Sequence, residues 1–250
     1  MNSYEALSGQ YDLLMRDGQY RRRADYLLRQ FQKSSIPVET VLDLGCGTGT
    51  IACLLSQAGL RVLAADASEE MLTEAAAKAM SLPQPPFFLH QFMSQLRLPH
   101  PVDAVISTLD SLNYVTRSRD VQETFRRVYR YLRPGGSFLF DINTPEKLQR
   151  MDGQVWMDEQ ENVFCVWRTD FSAKTAICTY SVDLFQRLED NSWSRSYEEH
   201  REKAWQPEQL QQWLEECGFS VRITGDLTMR PPREGADRIL FHCKKPLEIS

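Results

Sequence analysis

The chain has no Cys-x-x-Cys pair, no long apolar run and no excess of basic residues. Its six cysteines (Cys46, Cys53, Cys165, Cys178, Cys217, Cys243) are scattered over 250 residues, and its four histidines share no ligand spacing with them. That excludes the usual signatures of a zinc site or a dithiol redox centre, and no metal is expected. Several of the cysteines sit in apolar runs, where the residue behaves as a small hydrophobe, a usage suited to a reducing compartment. No stretch is long and apolar enough to span a bilayer, and the start, Met1-Asn2-Ser3-Tyr4-Glu5, has no basic segment leading into an apolar one. A cytoplasmic protein without a membrane partner is therefore expected. Asp and Glu (34) outnumber Lys and Arg (29), for a net charge of −5, which disfavours a nucleic-acid partner because phosphates select basic surfaces. The local clusters Arg21-Arg22-Arg23 and Arg126-Arg127 with Arg130 and Arg133 read as solvated helix faces. Internal repeats and low-complexity segments are also absent.

What stands out against these absences is Val41-Leu42-Asp43-Leu44-Gly45-Cys46-Gly47-Thr48-Gly49-Thr50. A short apolar run ends in an acid-bearing, glycine-rich turn, and a helical pattern follows. Arg61-Val62-Leu63-Ala64-Ala65 then reads as a second buried strand ending at Asp66. Strand, glycine turn, helix, strand, acid is the layout of a nucleotide-cofactor site. Glycines let the backbone approach a ligand at positive φ without a Cβ clash. An acid about twenty residues beyond the turn can accept hydrogen bonds from a ribose diol.

The length suits one domain plus an embellishment. Residues 1–35 read as a helical, amphipathic segment with Leu13, Leu14, Tyr20, Tyr26, Leu27 and Phe31 among many charges. Between 40 and about 141 strand candidates (40–44, 61–65, 86–91, 103–107, 136–141) alternate with helix candidates (49–58, 68–80, 120–132), as in a parallel sheet wrapped on both faces. Ser68 is expected to cap the second of these helices, with Glu69 and Glu70 in its first turn. Pro134-Gly135-Gly136 is expected to end the third and turn the chain into the next strand. Residues 154–204 change rhythm: they lack proline and are rich in Val, Phe, Trp, Thr and Tyr. Three long antiparallel strands are expected there, at 163–169, 176–185 and 193–204. Pro207 then opens a helix ending near Cys217-Gly218, and two last strands follow at 219–225 and 237–243. The expected organisation is an N-terminal helical lid (1–35), a doubly wound α/β domain (36–150 and 205–250) and an antiparallel β insertion (151–204).

The spacing Gly45-x-Gly47-x-Gly49, with Asp43 two residues before the first glycine, differs from the G-x-G-x-x-G of dinucleotide sites. It resembles motif I of class I S-adenosylmethionine (SAM)-dependent methyltransferases. Leu132-Arg133-Pro134-Gly135-Gly136-Ser137-Phe138 resembles the approach to their fifth strand, Val102-Asp103-Ala104-Val105-Ile106-Ser107 their fourth strand, and residues 107–115 the loop lining the methyl-transfer site. Tyr11-Asp12-Leu13-Leu14-Met15 resembles an N-terminal signature of a bacterial group of methyltransferases whose relatives include small-molecule N-methyltransferases, and His200-Arg201-Glu202-Lys203-Ala204 resembles that group's last inserted strand. The resemblance implies a mainly parallel seven-stranded Rossmann-like sheet with an antiparallel insertion after the fifth strand. It implies SAM as cofactor and S-adenosylhomocysteine as product. The cofactor contacts it implies are Tyr11, Asp43, Gly45, Cys46, Gly47, Asp66, Ala67, Phe92, Met93, Thr108 and Leu109. Asp43 would reach the SAM ammonium through water, Asp66 the ribose hydroxyls, and Tyr11, with Tyr20, would close the pocket. Two departures stand out. Phe92 occupies the place of the acid that binds the adenine amino group in many members, so adenine recognition leans on stacking and backbone groups near Phe92 and Met93. Arg23 stands where a tryptophan often follows.

A SAM methyl is already activated, so the protein needs mainly to align the acceptor and exclude water. Asp110 can hold an acceptor amine or take its proton, and Asn113 and Tyr114 can orient it; Asp110 can equally cap a short helix. Asn143 lies at the carboxyl edge of the fifth strand, where open α/β sheets bind ligands, or is a turn residue before Pro145. Trp167, Tyr180 and Arg201 lie on the insertion. Aromatics there can pack around a cation, and an Arg in an apolar strand wants a carboxylate partner; sheet packing is the alternative. The expected acceptor is a small molecule bearing an amine or carboxylate. Three other readings stay open: a methyltransferase acting on RNA or protein through the arginine-rich N-terminal helix, a non-catalytic SAM-binding sensor or assembly partner, and a nicotinamide oxidoreductase. The last lacks a Tyr-x-x-x-Lys pair after the fourth strand. A monomer or a homodimer paired through an exposed lid edge both fit.

Overall fold

The computed structural model describes residues 18–247; Tyr4, Tyr11 and the Tyr-Asp-x-Leu-Met segment lie outside them. Two sheets organise the chain. The larger has seven strands in the order β10-β11-β5-β4-β1-β2-β3. Within it β1 (Thr40–Leu44) is flanked in parallel by β2 (Arg61–Asp66) and β4 (Val102–Ser107). Beyond β2 lies β3 (Phe87–His90), and beyond β4 lies β5 (Leu132–Asn143), both parallel. The strand β11 (Arg238–Lys244) runs antiparallel between β5 and β10 (Ser220–Gly225). The continuous apolar character of β1 and β4 follows from their place: a central parallel strand is covered on both faces, and every residue of β4 is buried.

Helices fill both faces with their apolar stripes. On α1 (Gly18–Phe31), Tyr20, Ala24, Leu27 and Phe31 are buried at helical spacing, and on α4 (Ser118–Tyr131) Val121, Phe125 and Val128. The turn-bearing side is completed by α2 (Thr50–Gln57) and α3 (Glu69–Ala79). Ser68 caps α3 as expected, its Oγ accepting the Met71 N–H at 3.1 Å. The core beside β5 is aromatic: Phe140 stacks on Phe138 (4.8 Å between centroids) and on Phe241 (4.6 Å).

Two expectations about elements need correction, and one helix is new. Pro134-Gly135-Gly136 does not precede β5 but lies within it, at an irregularity where the register against β4 shifts. Gly135 has φ +80°, and a Cβ on Gly136 would sit 2.7 Å from the Asp103 carbonyl, so glycines serve the bulge rather than a turn. A short helix, α5 (Pro145–Arg150), follows β5, capped by Thr144, whose Oγ1 accepts the Lys147 N–H. The insertion has four strands, not three: β6 (Val155–Gln160), β7 (Val163–Ser172), β8 (Ile177–Arg187) and β9 (Trp193–Lys203) form an antiparallel meander. The acidic, exposed β6 carries little strand signal of its own and is recruited by its pairing to β7. The chain then returns to the larger sheet through α6 (Pro207–Glu216), which ends at Gly218 with φ +99°. Among the described residues no helix is long and apolar enough to cross a membrane.

Candidate active site

The glycine turn leaves β1 at the carboxyl edge of the sheet and is pinned from β2. The Ala65 carbonyl accepts the N–H groups of Gly45 (2.7 Å) and Cys46 (3.1 Å). The Asp66 carboxylate accepts the Gly47 N–H (2.8 Å) on one oxygen and the Ser68 N–H (2.9 Å) on the other. Gly45, Gly47 and Gly49 all adopt positive φ (+78°, +53° and +70°). Gly45 has no room for a side chain: a Cβ would fall 2.6 Å from Met93 Cε and 2.8 Å from Ser111 Cβ. Gly47 faces open space.

That open space is a cavity of about 490 Å³. It is lined by the turn, by the ends of β2 and β3, by the loop after β4 and by Tyr20 from α1. Of the expected cofactor residues, Asp43, Gly45, Cys46, Gly47, Asp66, Ala67, Phe92, Met93, Thr108 and Leu109 all line it, as do Tyr114 and Tyr20. The electrostatics point to a cationic guest. Asp43 is buried, and no described residue gives it a hydrogen bond. Burial, and then the charge of Asp66, push its carboxyl up to about 7. Burial also raises Asp66, which the N–H groups of Ser68 and Gly47 partly offset. A partnerless buried carboxylate is costly unless a positive group completes it, and an ammonium fits that need. Each Asp66 oxygen, with one N–H bound, keeps lone pairs for hydroxyl donors.

The loop after β4 is strained. Leu109 and Asp110, neither of them glycine, have φ of +59° and +57°; such a residue costs roughly 1–3 kcal/mol. Ser111 Oγ lies within hydrogen-bonding distance of the Gly45 carbonyl (3.0 Å) and the Thr108 carbonyl (2.8 Å), which sets the loop against the glycine turn.

Several expected residues stand elsewhere. Asp110 occupies the cap position of the short 3-10 turn Ser111–Tyr114 without capping it; its carboxylate is bound to Arg238 (2.5 Å) and does not line the cavity. Asn113 is fully buried, donating to the carbonyls of Asn143 (3.1 Å) and Lys203 (3.0 Å) and accepting the Asn143 N–H (3.0 Å). The Asn143 side chain donates to Glu202 (2.7 Å) and accepts from Lys147 (2.9 Å). Trp167 stacks on Trp156 within the insertion (5.8 Å). Arg201 is exposed on β9 and makes no ion pair with a described residue, because alternation along the strand turns Glu202 inward instead. Asp110, Asn113, Asn143, Trp167 and Arg201 thus lie outside the cavity lining. Arg23 also departs from the solvated face expected for 21–23: it is buried and paired with Asp141 (2.9 Å) and Asp226 (3.1 Å), while Arg21 and Arg22 are exposed.

Two buried acids escaped the sequence reading. Asp141, on β5, and Glu202, on β9, sit in strand patterns where an acid normally faces water, so only an acid at an inward-facing strand position could have flagged them. Burial, followed by the nearby charge of Asp110, pushes the Glu202 carboxyl up to about 8.

Comparison with known proteins agrees with this geometry. Residues 41–136 match a family model described as a methyltransferase domain. A relative from Geobacillus sp. (strain WCH70), named "Putative methyltransferase", is 32% identical over 248 residues, covering 97% of this chain and 100% of the relative. The crystal structure of an S-adenosylmethionine-dependent methyltransferase from Clostridium acetobutylicum ATCC 824 superposes with a TM-score of 0.88 at 28% identity, covering 97% of this chain and 99% of the other. The sugar N-methyltransferase KedS8 from Streptoalloteichus sp ATCC 53650 shares the fold, with a TM-score of 0.76 at 18% identity over 95% of this chain and 93% of its own.

Proposed function

The chain belongs to the class I S-adenosylmethionine-dependent methyltransferases, and from that premise we propose that it transfers a methyl group to a small molecule bearing an amine or a carboxylate. The observation that carries the reading is the pair of acids facing one cavity across a glycine turn: buried Asp43, to which no described residue donates a hydrogen bond, and backbone-anchored Asp66. Asp43 would hold the cofactor's ammonium, and Asp66 its ribose hydroxyls. Ala67, Phe92 and Met93 would enclose the adenine. With Phe92 exposed in the place of an acid, that end relies on stacking and backbone contacts. Gly45, Cys46 and Gly47 would lie along the methionine portion, with Thr108 and Leu109 next to the reacting centre. Tyr11 would close over the pocket.

When bound, S-adenosylmethionine supplies a methyl group on a sulfonium, activated toward displacement. The chain's own contribution is alignment and exclusion of water. Tyr20 and Tyr114 line the chamber with aromatic faces, which suit a cationic or amine-bearing acceptor. Arg117 and Asp120 line the same cavity and supply one charge of each sign for an acceptor's carboxylate or amine. An acceptor amine that arrives neutral needs no general base. This fits a site in which Asp110 is engaged by Arg238, so Asp110 and Asn113 would serve by shaping the loop that carries Tyr114. The sugar N-methyltransferase of the same fold makes amino sugars a rational first acceptor set.

The test is calorimetric titration of the full chain with S-adenosylmethionine and S-adenosylhomocysteine, repeated on Asp66→Ala. Binding that weakens at least about tenfold, the loss of one or more good hydrogen bonds, supports the reading and justifies screening acceptors with labelled methyl. No binding of either ligand by the wild-type chain sinks it. Tight binding with no methyl turnover on any amine or carboxylate acceptor would leave a sensor.

A further inference from the structure

Near the end of β5 in the larger sheet, Asp141 is wholly buried, and its two oxygens are used alike. Oδ1 accepts the Asp110 N–H (2.9 Å) and an Arg238 Nη1 contact; Oδ2 accepts the Leu109 N–H (3.0 Å) and Arg23 Nη1 (2.9 Å). Each oxygen takes one backbone amide and one guanidinium. The two amides belong to the two left-handed residues of the loop after β4. Successive N–H groups converging on one anion form a concavity of the kind that elsewhere binds phosphate; here the anion is the chain's own. Burial pushes the Asp141 carboxyl up, but Arg238 and Arg23 outweigh it and hold the group below the usual carboxylate range.

The two arginines come from distant elements. Arg238 opens β11 and also holds Asp110. Arg23 lies on α1, reaches 118 residues along the chain to Asp141, and is steadied from outside by Asp226. The same helix face presents Tyr20 to the cavity, and the same loop presents Thr108, Leu109, Ser111 and Tyr114.

We propose that Asp141, clamped by Arg23 and Arg238, is the positioning residue of the loop after β4, and that through Arg23 the docking of α1 sets that loop against the cofactor cavity. The claim about the cavity rests on the cofactor reading above; the claim about the loop does not. Asp141 touches neither the cavity nor the glycine turn, so its effect passes entirely through Leu109 and Asp110. A loop released from Asp141 loses the acceptor for the N–H groups of both left-handed residues, and although Ser111 and Arg238 still tether it, it relaxes away from Gly45.

The experiment compares wild type, Arg23→Met, Arg23→Lys and Asp226→Asn as full chains. Amide hydrogen exchange is followed over residues 107–115, and S-adenosylhomocysteine is titrated by calorimetry. Arg23→Met is expected to raise exchange at Leu109 and Asp110 selectively and to weaken S-adenosylhomocysteine about tenfold, within the range usual for coupled sites. Arg23→Lys recovers part of both losses, because an ammonium reaches Asp141 but cannot span Asp141 and Asp226 together. Asp226→Asn, which leaves all four Asp141 donors in place, gives the smallest rise. A role in general stability alone would raise exchange across the sheet and leave the affinity unchanged, and that pattern overturns the proposal. So does a folded Arg23→Met with wild-type loop protection and affinity. Should Arg23→Met not fold, unchanged loop exchange in both Arg23→Lys and Asp226→Asn overturns it equally. Failure of the wild-type chain to bind S-adenosylhomocysteine would remove the cofactor reading, while the exchange data still decide what holds the loop.

Discussion

Single side chains in the glycine turn carry sharply different burdens. Gly45 combines φ +78° with two contacts under 3.0 Å from any added Cβ. Gly45→Ala must therefore displace both Met93 and Ser111, and we expect it to abolish measurable S-adenosylmethionine binding while leaving a folded protein. Gly47→Ala meets no neighbour, carries only the roughly 1–2 kcal/mol of backbone strain of a left-handed residue and should fold. Calorimetry beside a thermal melt separates the two outcomes. Asp43 makes a prediction about pH. Its carboxyl, raised to about 7, is largely protonated in the free protein at pH 5. A bound ammonium favours the ionised form, so ligand binding must expel that proton at low pH. Affinity for S-adenosylmethionine is thus expected to rise from pH 5 to pH 7, up to roughly tenfold per pH unit where the proton is fully bound. Asp43→Asn should bind weakly at all pH values with a flat profile over that range.

At the level of elements, the joint between the two sheets is polar rather than greasy. Asn113, in the turn after β4, clamps the end of β5 and the end of β9 with three hydrogen bonds. A buried amide with all three satisfied costs little to keep and much to remove, because Asn113→Ala orphans two carbonyls and an N–H. A loss of about 3 kcal/mol is expected, from about 1 kcal/mol or more for each orphaned group. Urea unfolding of the variant, with the m-value compared to wild type, measures it; a loss under 1 kcal/mol would mean that water replaces the clamp. Glycines at 135 and 136 conceal the start of strand β5 in the sequence. A Pro-Gly-Gly run is ordinarily punctuation, but the Asp103 carbonyl 2.7 Å from any Cβ on Gly136 makes it a packing requirement within the strand.

Over the whole molecule, the insertion meets the α/β sheet at Glu202, which accepts from Asn143 and is raised to about 8 by burial and by Asp110. The folded state prefers the neutral acid. Its contribution is therefore complete below the ordinary carboxyl range and is lost as pH rises through about 8. At about 1.4 kcal/mol per pKa unit, wild type should lose up to a few kcal/mol relative to Glu202→Gln between pH 5 and pH 8.5, as followed by urea unfolding at both values. Equal pH dependence in the two proteins would show that Glu202 stays ionised in the fold. What the sequence by itself determined is what lies close together along the chain: the Asp43-to-Gly49 turn, Asp66 at the end of β2, the alternation of strands and helices, and through them the family and its cofactor class. Local spacing sets those features, since neighbouring residues cannot move far apart. Tertiary structure alone decided the partners of Arg23, Asp141, Asn113 and Glu202, which meet across 30 to 203 residues. An arginine in a basic run and an acid in a strand look solvated until a distant element removes their water. Burial of that kind belongs to the packing of the whole chain, and along the sequence it shows at most as an acid at an inward-facing strand position.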